Sequence, residues 1–444
     1  MQFDQALRYL LDLGHETLAI KLGLRNIELL LTSLGHPQNS YPCLQIAGTN
    51  GKGSTAVVLD SICAAAGIKS GLFTSPHLIS ITERVRVGGK EISRESFARQ
   101  ATVVRDAAET LLAEKQIEAL PTFFEQVTAI ALAEFRNAEV ELAILETGLG
   151  GRLDATTAAR ADVVAITAIG LDHQQYLGET LEQIAAEKAA IIRPGVKAII
   201  GWQPAAAMNV ILRFCKNNGV EPSLADCRTV VEGVTPDGRL RASFKTQKDL
   251  YEHVLVGLRG RHQLENVSLA VRLAEALGER GFPISRSAIV AGIENARHAG
   301  RLELWPGHPA VLFDGAHNPD GVQALREYFD EFITVPVTLI FGAMEDKNLE
   351  QMGEALFPAA TRLVLTQLDN PRAATLETLE RVAAQFVDSK RIRSASSVED
   401  AIRIAKEMTP SDELICVTGS LYLIGEVQSQ LKQEQDVGYA ERES

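Results

Sequence analysis

Cysteine is scarce and unpatterned in this sequence. The 444 residues hold five, Cys43, Cys63, Cys215, Cys227 and Cys416, with no CxxC pair. That argues against a disulfide frame and reads as a reduced, cytoplasmic protein. Long apolar runs are missing too: none approaches the roughly 18 residues of a membrane span, so no membrane association is expected. The N-terminus, MQFDQALRYLLDLGHETLAIKLGL, lacks a basic stretch followed by an unbroken apolar one, and neither a signal nor a transit peptide is expected. Positive charge is in deficit, 44 Lys and Arg against 57 Asp and Glu, for a formal net charge of −13. This argues against a nucleic-acid partner, because domains that bind nucleic acid are usually basic. Any site for an anionic ligand must therefore make its positive field locally. The remainder is ordinary for a soluble globular chain, 46% hydrophobic and 23% charged, with length for two or three domains.

Short apolar runs alternate with helical patterns almost throughout. PCLQIAG, VELAILETG and DVVAITAIG read as strands covered on both faces. STAVVLDSICAAAG and the stretch from Thr180 to Pro194-Gly195 read as helices. After Gly219 the texture changes to RTVVEGV, GRLRASFKT and YEHVLVGL, shorter alternating strands expected as an antiparallel patch on a sheet edge. From AVLFDGAHN onward, strands and helices alternate again. The expected fold is α/β: an N-terminal doubly wound, mostly parallel sheet with a phosphate loop and a small antiparallel patch, then a smaller C-terminal Rossmann-like α/β unit. Ala296–Glu303, ARHAGRLE, is expected to be an exposed polar hinge between them.

AGTNGKGST follows the first strand and opens a helix. Gly48, Thr49, Asn50, Gly51, Lys52, Gly53 and Ser54 suit a phosphate loop. Glycines let backbone N–H groups converge on phosphate oxygens, a helix N-terminus adds positive potential, and Lys52 adds a full charge. Two features are irregular. The spacing is short, and Lys52 is followed by Gly53, whereas the GxxxxGK[ST] loop has a hydroxyl there for Mg²⁺. A Gly-rich turn that binds nothing is the plain alternative; the strand–loop–helix context speaks against it. In LETGLGGRLDATT, Glu146 ends a strand, where open α/β sheets place ligands. A carboxylate there suits Mg²⁺, although a lone strand-end Glu is more often a cap or surface charge. His173 follows another strand end, fifteen residues before Lys188. Alone, the pair reads as a structural histidine and a solvated lysine. Lys188 shares a helix face with Ile184 and Ile191, where a lysine either snorkels to water or is functional.

Taken in order, GTNGKGS, TSPHL, ETGLGGRLDAT, GLDH, EKAAI, GRHQLEN, DGAHNP and TGSLYL resemble the bifunctional dihydrofolate synthase/folylpolyglutamate synthase family of the Mur ligase superfamily. The likeness runs from the N-terminal helix to about Glu426. It implies an ATP-dependent ligase that adds L-glutamate to dihydropteroate or to a folate glutamate tail through an acyl phosphate. It implies ATP, two Mg²⁺ ions, a monovalent cation and a carbamylated Lys188 as cofactors, and a monomer acting on small molecules. Residues 1–296 would bind ATP and pterin, and residues 297–444 would form the glutamate-ligase domain. Catalytic roles fall to Lys52, Glu146, His173, Lys188 and His317, with His317 near the glutamate end. Ser75 and Glu146 would hold one Mg²⁺, His173 and the Lys188 carbamate a second. Asn266, Arg301 and Asp314 would contact ATP beside the loop. Pterin contacts fall to Leu22, Gly23, Thr122, Phe123, Phe124, Glu125, Leu153, Asp154 and Ala155.

On the residues alone, Ser75 is as good a turn initiator before Pro76, with Ser54 or water at the metal, as it is a ligand. Asp314 could cap a helix, Arg301 could be a surface residue, and Phe123-Phe124 reads as one core and one surface group. Two positions depart from the family's usual pattern: Thr157 stands where Asn is common, and Asn348 where Asp is frequent. Two other functions remain open. One is an ATP-binding switch without ligation, which the second-unit motifs oppose. The other is a ligase for another carboxylate, such as a cell-wall precursor, which TFFE and GRHQLEN oppose.

Overall fold

The structure is a computed structural model that describes residues 1–14 and 23–443, with side chains described as far as Glu434. The continuous apolar runs form strands Cys43–Ala47, Leu142–Glu146 and Val163–Ile166, buried at every position. Two cores explain the lack of alternation: Ala143 and Leu145 face one, Leu142 and Ile144 the other. These strands sit centrally in an eight-stranded sheet of the described residues. Its order is Lys90–Glu91, Val85–Val87, Ser70–Phe73, Leu142–Glu146, Cys43–Ala47, Val163–Ile166, Lys197–Ile200, Ser223–Leu224. The pairing is parallel except at one edge, where Val85–Val87 runs antiparallel to both neighbours. Helices Arg94–Ala113 and Phe123–Asn137 pack on one face, and Lys52–Ala65, Gln263–Glu279 and Arg286–Asn295 on the other.

Strands Arg228–Val234, Leu240–Lys245 and Leu250–Leu255 are antiparallel, as their alternation predicts. They are not an edge of the large sheet but a separate three-stranded sheet. Ala242, Phe244, Tyr251 and Val254 bury into the core that helix Lys52–Ala65 shares, which gives this patch its own reason to stand apart.

A six-stranded sheet follows, in the order Glu303–Trp305, Ala310–Asp314, Leu414–Thr418, Val337–Phe341, Arg362–Thr366, Ile392–Ala395. Only Glu303–Trp305 pairs antiparallel. Leu339 and Phe341 face one core and Ile340 the other. The joining segment is not the exposed hinge its polarity suggests. Ala296, Gly300 and Leu302 are buried. The Gly300 N–H donates to Glu303 Oε2 at 2.7 Å and the Leu302 N–H to Asp314 Oδ2 at 2.9 Å. Among the described residues no helix is long and apolar enough to cross a membrane, and all five cysteines are free thiols.

Candidate active site

The carboxyl ends of parallel strands from both large sheets open onto one cavity of about 830 Å³, where α/β sheets bind ligands. From the first sheet come Thr49–Ser54, Glu146 and Asp172-His173; from the second, Asp314–Asn318, Lys347 and Ser420–Tyr422.

The phosphate loop is held by close contacts. Gly51 has φ 89°, and a Cβ there would lie 2.1 Å from Asn266 Oδ1. Glycine is therefore required both by the left-handed backbone and by Asn266 pressed against the loop. Lys52 begins helix Lys52–Ala65 and donates to the carbonyls of Gly48 and Thr49, each at 3.1 Å. Burial lowers its pKa, against the opposing charges of Glu146 and Asp172. A Cβ on Gly53 would meet His298 Cε1 at 3.0 Å and Glu146 Oε2 at 3.4 Å. The hydroxyl that the ordinary loop carries after its lysine has little room here.

Two pairs of donors face the cavity. Glu146 ends its strand, and its Oε2 accepts the main-chain N–H of Ser75 at 3.1 Å. His173 adopts φ 51°, and its Nδ1 is buried with no hydrogen-bond partner among the described residues. Burial outweighs the pull of Asp172 and lowers its pKa to about 3, so the ring is neutral. Lys188 is buried and its Nζ donates to the Gly48 carbonyl at 2.7 Å. Burial, then the charge of Lys52, lowers its pKa to about 7. Among the described residues no three His, Cys, Asp or Glu side chains cluster as a metal cage. Mg²⁺ needs none, since it keeps water and phosphate oxygens among its ligands. The oxygen donors of Ser75 and Glu146 fit such an ion. The unpaired His173 Nδ1 fits another if Lys188 carries an anionic oxygen.

The second unit reaches across to Asp172. Lys347 Nζ lies 2.6 Å from Asp172 Oδ1, and from Oδ2 Asn318 Nδ2 lies at 3.2 Å and His317 Nε2 at 3.6 Å. Burial would raise the pKa of this carboxyl; the neighbouring His317 imidazole and the charge of Lys347 hold it well below the carboxylate range. Asn318 also donates to Asn50 Oδ1 at 3.0 Å. His317 Nδ1 meets the Gly315 carbonyl at 2.7 Å. Asp314 ties the joining segment to the turn after its own strand, accepting the N–H groups of Leu302 and Ala316 at 2.9 and 3.0 Å; burial raises its pKa against Arg301. Arg301 lines the cavity, with Nη1 2.3 Å from where a Gly315 Cβ would sit.

The expected pterin residues divide. Thr122 and Glu125 form the capping box of helix Phe123–Asn137, the Thr122 N–H meeting Glu125 Oε2 at 2.7 Å, and both line the cavity. Phe124 also lines it, its ring 5.9 Å from that of Phe73. Phe123 does not: it is buried, with the Arg84 guanidinium 5.4 Å from its ring centroid. Its side chain sits in the core and not on the cavity wall. Asp154 is buried and holds the glycine loop, accepting the Gly148 and Leu149 N–H groups at 2.9 Å each; burial raises its pKa. Gly23, Leu153 and Ala155 are on the wall, Gly48 just behind it. Leu22 lies outside the described residues. Thr157 turns inward, donating to the Gly151 carbonyl at 2.7 Å and accepting from Gln45 at 2.8 Å. Asn348 caps helix Leu349–Leu356.

Four of the wall residues that the sequence did not single out make contacts between segments far apart in the chain. Asp172, Asn318 and Lys347 lie inside the motifs GLDH, DGAHNP and EDKN, but their partners are on the opposite unit. His298 sits in the polar joining segment, its Nδ1 3.2 Å from Ser54 Oγ. Burial, then Arg301 and Arg86, lower its pKa to about 3.

The chain is similar to known proteins along nearly its whole length. Residues 46–274 match the Mur ligase middle domain, and residues 300–421 the Mur ligase glutamate ligase domain. Dihydrofolate synthase/folylpolyglutamate synthase of Bacillus subtilis is 35% identical over 94% of this chain and 97% of its own. Folylpolyglutamate synthase of Mycobacterium tuberculosis, solved with ADP, superposes with a TM-score of 0.90 at 31% identity, over 97% of this chain and 98% of that one. A bifunctional folylpolyglutamate synthase/dihydrofolate synthase solved with Mn, AMPPNP and L-glutamate gives 0.83 at 28% identity, over 97% and 98%. With both Mur ligase regions present and a relative this similar end to end, the chain belongs to the dihydrofolate synthase/folylpolyglutamate synthase family of ATP-dependent glutamate ligases.

Proposed function

We propose that the cavity joins L-glutamate to the carboxylate of dihydropteroate, or of a folate glutamate tail, with cleavage of ATP to ADP and phosphate. The observation that carries this reading is the meeting of two strand-end surfaces on one cavity. One offers loop N–H groups and Lys52; the other offers Arg301, His317 and Lys347. On this reading residues 1–296 bind ATP and pterin and residues 297–444 bind glutamate, in a cytoplasmic monomer.

The chemistry assigns each surface a task. A carboxylate is a poor electrophile, so its oxygen first attacks the γ-phosphorus and ADP leaves, giving an acyl phosphate. The glutamate nitrogen then attacks the acyl carbon, phosphate departs, and the amine proton passes to solvent. Positioning and charge neutralisation dominate the first step. Lys52 and the amides of Gly51–Ser54 hold the phosphates. Ser75 with Glu146, and His173 with carbamylated Lys188, are the residues that would hold Mg²⁺, which supplies charge at the phosphoryl oxygens. A lysine amine with a pKa near 7 is partly neutral at physiological pH and open to CO₂. Phe124, Leu153 and Ala155 give the pterin ring an apolar wall. Contact between the two units keeps water from the acyl phosphate.

The test is ADP release measured with dihydropteroate and with tetrahydrofolate in turn, with and without L-glutamate. Release that requires both glutamate and one of these acceptors is expected. ATP hydrolysis indifferent to both would refute the ligase reading, and release only with a cell-wall precursor would move the acceptor elsewhere.

A further inference from the structure

The joining segment touches the phosphate loop through His298. His298 Nδ1 lies 3.2 Å from Ser54 Oγ, and the ring edge takes the space where a Gly53 Cβ would lie 3.0 Å from Cε1. Both contacts fall in the first turn of helix Lys52–Ala65, whose residues Lys52, Gly53 and Ser54 line the cavity. The histidine is anchored on either side. Arg297 Nη1 donates to the Ala296 and Glu294 carbonyls at 2.7 and 2.9 Å, and the Gly300 N–H is fixed by Glu303 at 2.7 Å. A serine hydroxyl in a helix's first turn otherwise chooses between the backbone and water. Here an imidazole from the other end of the unit fixes it.

We propose that His298 is a positioning residue for the phosphate loop: it sets the Ser54 hydroxyl and the Gly53 backbone in their nucleotide-binding arrangement and ties that arrangement to the joining segment. The same contact accounts for glycine after Lys52, because the imidazole occupies the volume a side chain would need. The consequence is selective. Ser54 and Gly53 lie at the ATP phosphates, so loss of His298 weakens nucleotide binding while the glutamate side of the cavity is untouched.

The test is calorimetric binding of ADP with Mg²⁺, together with steady-state kinetics. His298→Leu keeps the bulk and loses the bond. It is expected to weaken ADP binding and raise the KM for ATP by about five- to tenfold, the scale of one hydrogen bond. The kcat and the KM for L-glutamate should stay within about twofold. His298→Asn, whose amide can reach Ser54, is expected to recover ADP binding to within about twofold of the unaltered protein. Ser54→Ala should weaken ADP binding by itself, and adding His298→Leu to it should cost little more. ADP affinity unchanged in His298→Leu overturns the proposal, as does His298→Asn behaving like His298→Leu, or full additivity with Ser54→Ala. The inference rests on the phosphate-loop reading. Failure of the unaltered protein to bind ADP overturns both, whereas unchanged binding in His298→Leu overturns this one alone.

Discussion

The two sides of the cavity are built differently. The first unit presents backbone, with Thr49–Gly53 running between a strand and a helix and its glycines closed in by Asn266, His298 and Glu146. The second presents side chains, Lys347, His317 and Asn318, which converge on Asp172. A backbone surface is fixed by folding and tolerates no added atom. A surface of polar contacts between units can part and re-form, as a site that admits substrates and then excludes water must. The first side should therefore fail abruptly on substitution and the second by degrees.

Lys188 gives the largest expected loss. Lys188→Ala removes the proposed carbamate and also leaves the Gly48 carbonyl without its 2.7 Å partner. Turnover should fall by roughly 10²- to 10³-fold, the scale of losing one preorganised charge at a phosphoryl site, with far-ultraviolet circular dichroism unchanged. A short carboxylic acid supplied in solution should restore part of it. Full activity of Lys188→Ala would remove the residue from the mechanism; failure of rescue alone would not, since the acid has to enter a closed cavity.

Gly51→Ala tests the backbone surface directly. At φ 89° a side chain is strained, and its Cβ would sit 2.1 Å from Asn266 Oδ1. Displacement of the loop by about 1 Å should cost about a hundredfold in turnover. Adding Asn266→Ala relieves the collision but not the backbone strain of about 1–2 kcal/mol, so only part of the loss should return. ADP binding measured in both variants checks this; full recovery in the double variant would make the collision the entire effect.

This division also governs what the sequence discloses. The loop is local, so its glycines, lysine and strand–helix context are visible in nine consecutive letters, AGTNGKGST. The strands are equally legible, because burial on both faces leaves unbroken apolar runs. Asp172 is not, since its partners lie 146 and 175 residues away, and no local pattern marks an aspartate that will receive them. Polarity misleads in the other direction at Ala296–Glu303, where charged letters flank residues that pack. Phe123 and Phe124 are adjacent and alike; only the direction of their helix separates the core ring from the wall ring.

Asp172→Asn tests the side-chain surface. It preserves shape and removes the charge that pairs with Lys347 at 2.6 Å, both side chains being under a tenth exposed. Losing one partner of such a pair costs a few kcal/mol locally, here at the contact between units. Turnover should fall by about tenfold, less than for Gly51→Ala, because His317 and Asn318 still cross the gap. The radius of gyration from X-ray scattering should increase. No change in scattering would mean that Asp172 does not hold the units together.

The smallest effect is one of acid, and it should separate the units. His77, His173, His262 and His298 all have lowered pKa values, to about 3, 3, 4 and 3, with burial as the first cause of each. All four precede the second sheet, which begins at Glu303. A histidine with a folded pKa below its unfolded value of about 6.5 binds its proton more readily when unfolded. The unfolded state then holds more protons between the two values, so stability rises with pH across that window and falls on acidification below about 6.5. Each ring can contribute at most about 1.4 kcal/mol per pH unit, and less where it opens onto the cavity. Amide exchange at pH 7 and pH 5 reads this by segment, once intrinsic rates are corrected. Protection in Cys43–Ala47 and Val163–Ile166 should fall before that in Val337–Phe341 and Leu414–Thr418. The reverse order would mean that the acid-sensitive groups lie in the second unit and that the imidazoles of the first are compensated by contacts formed on protonation.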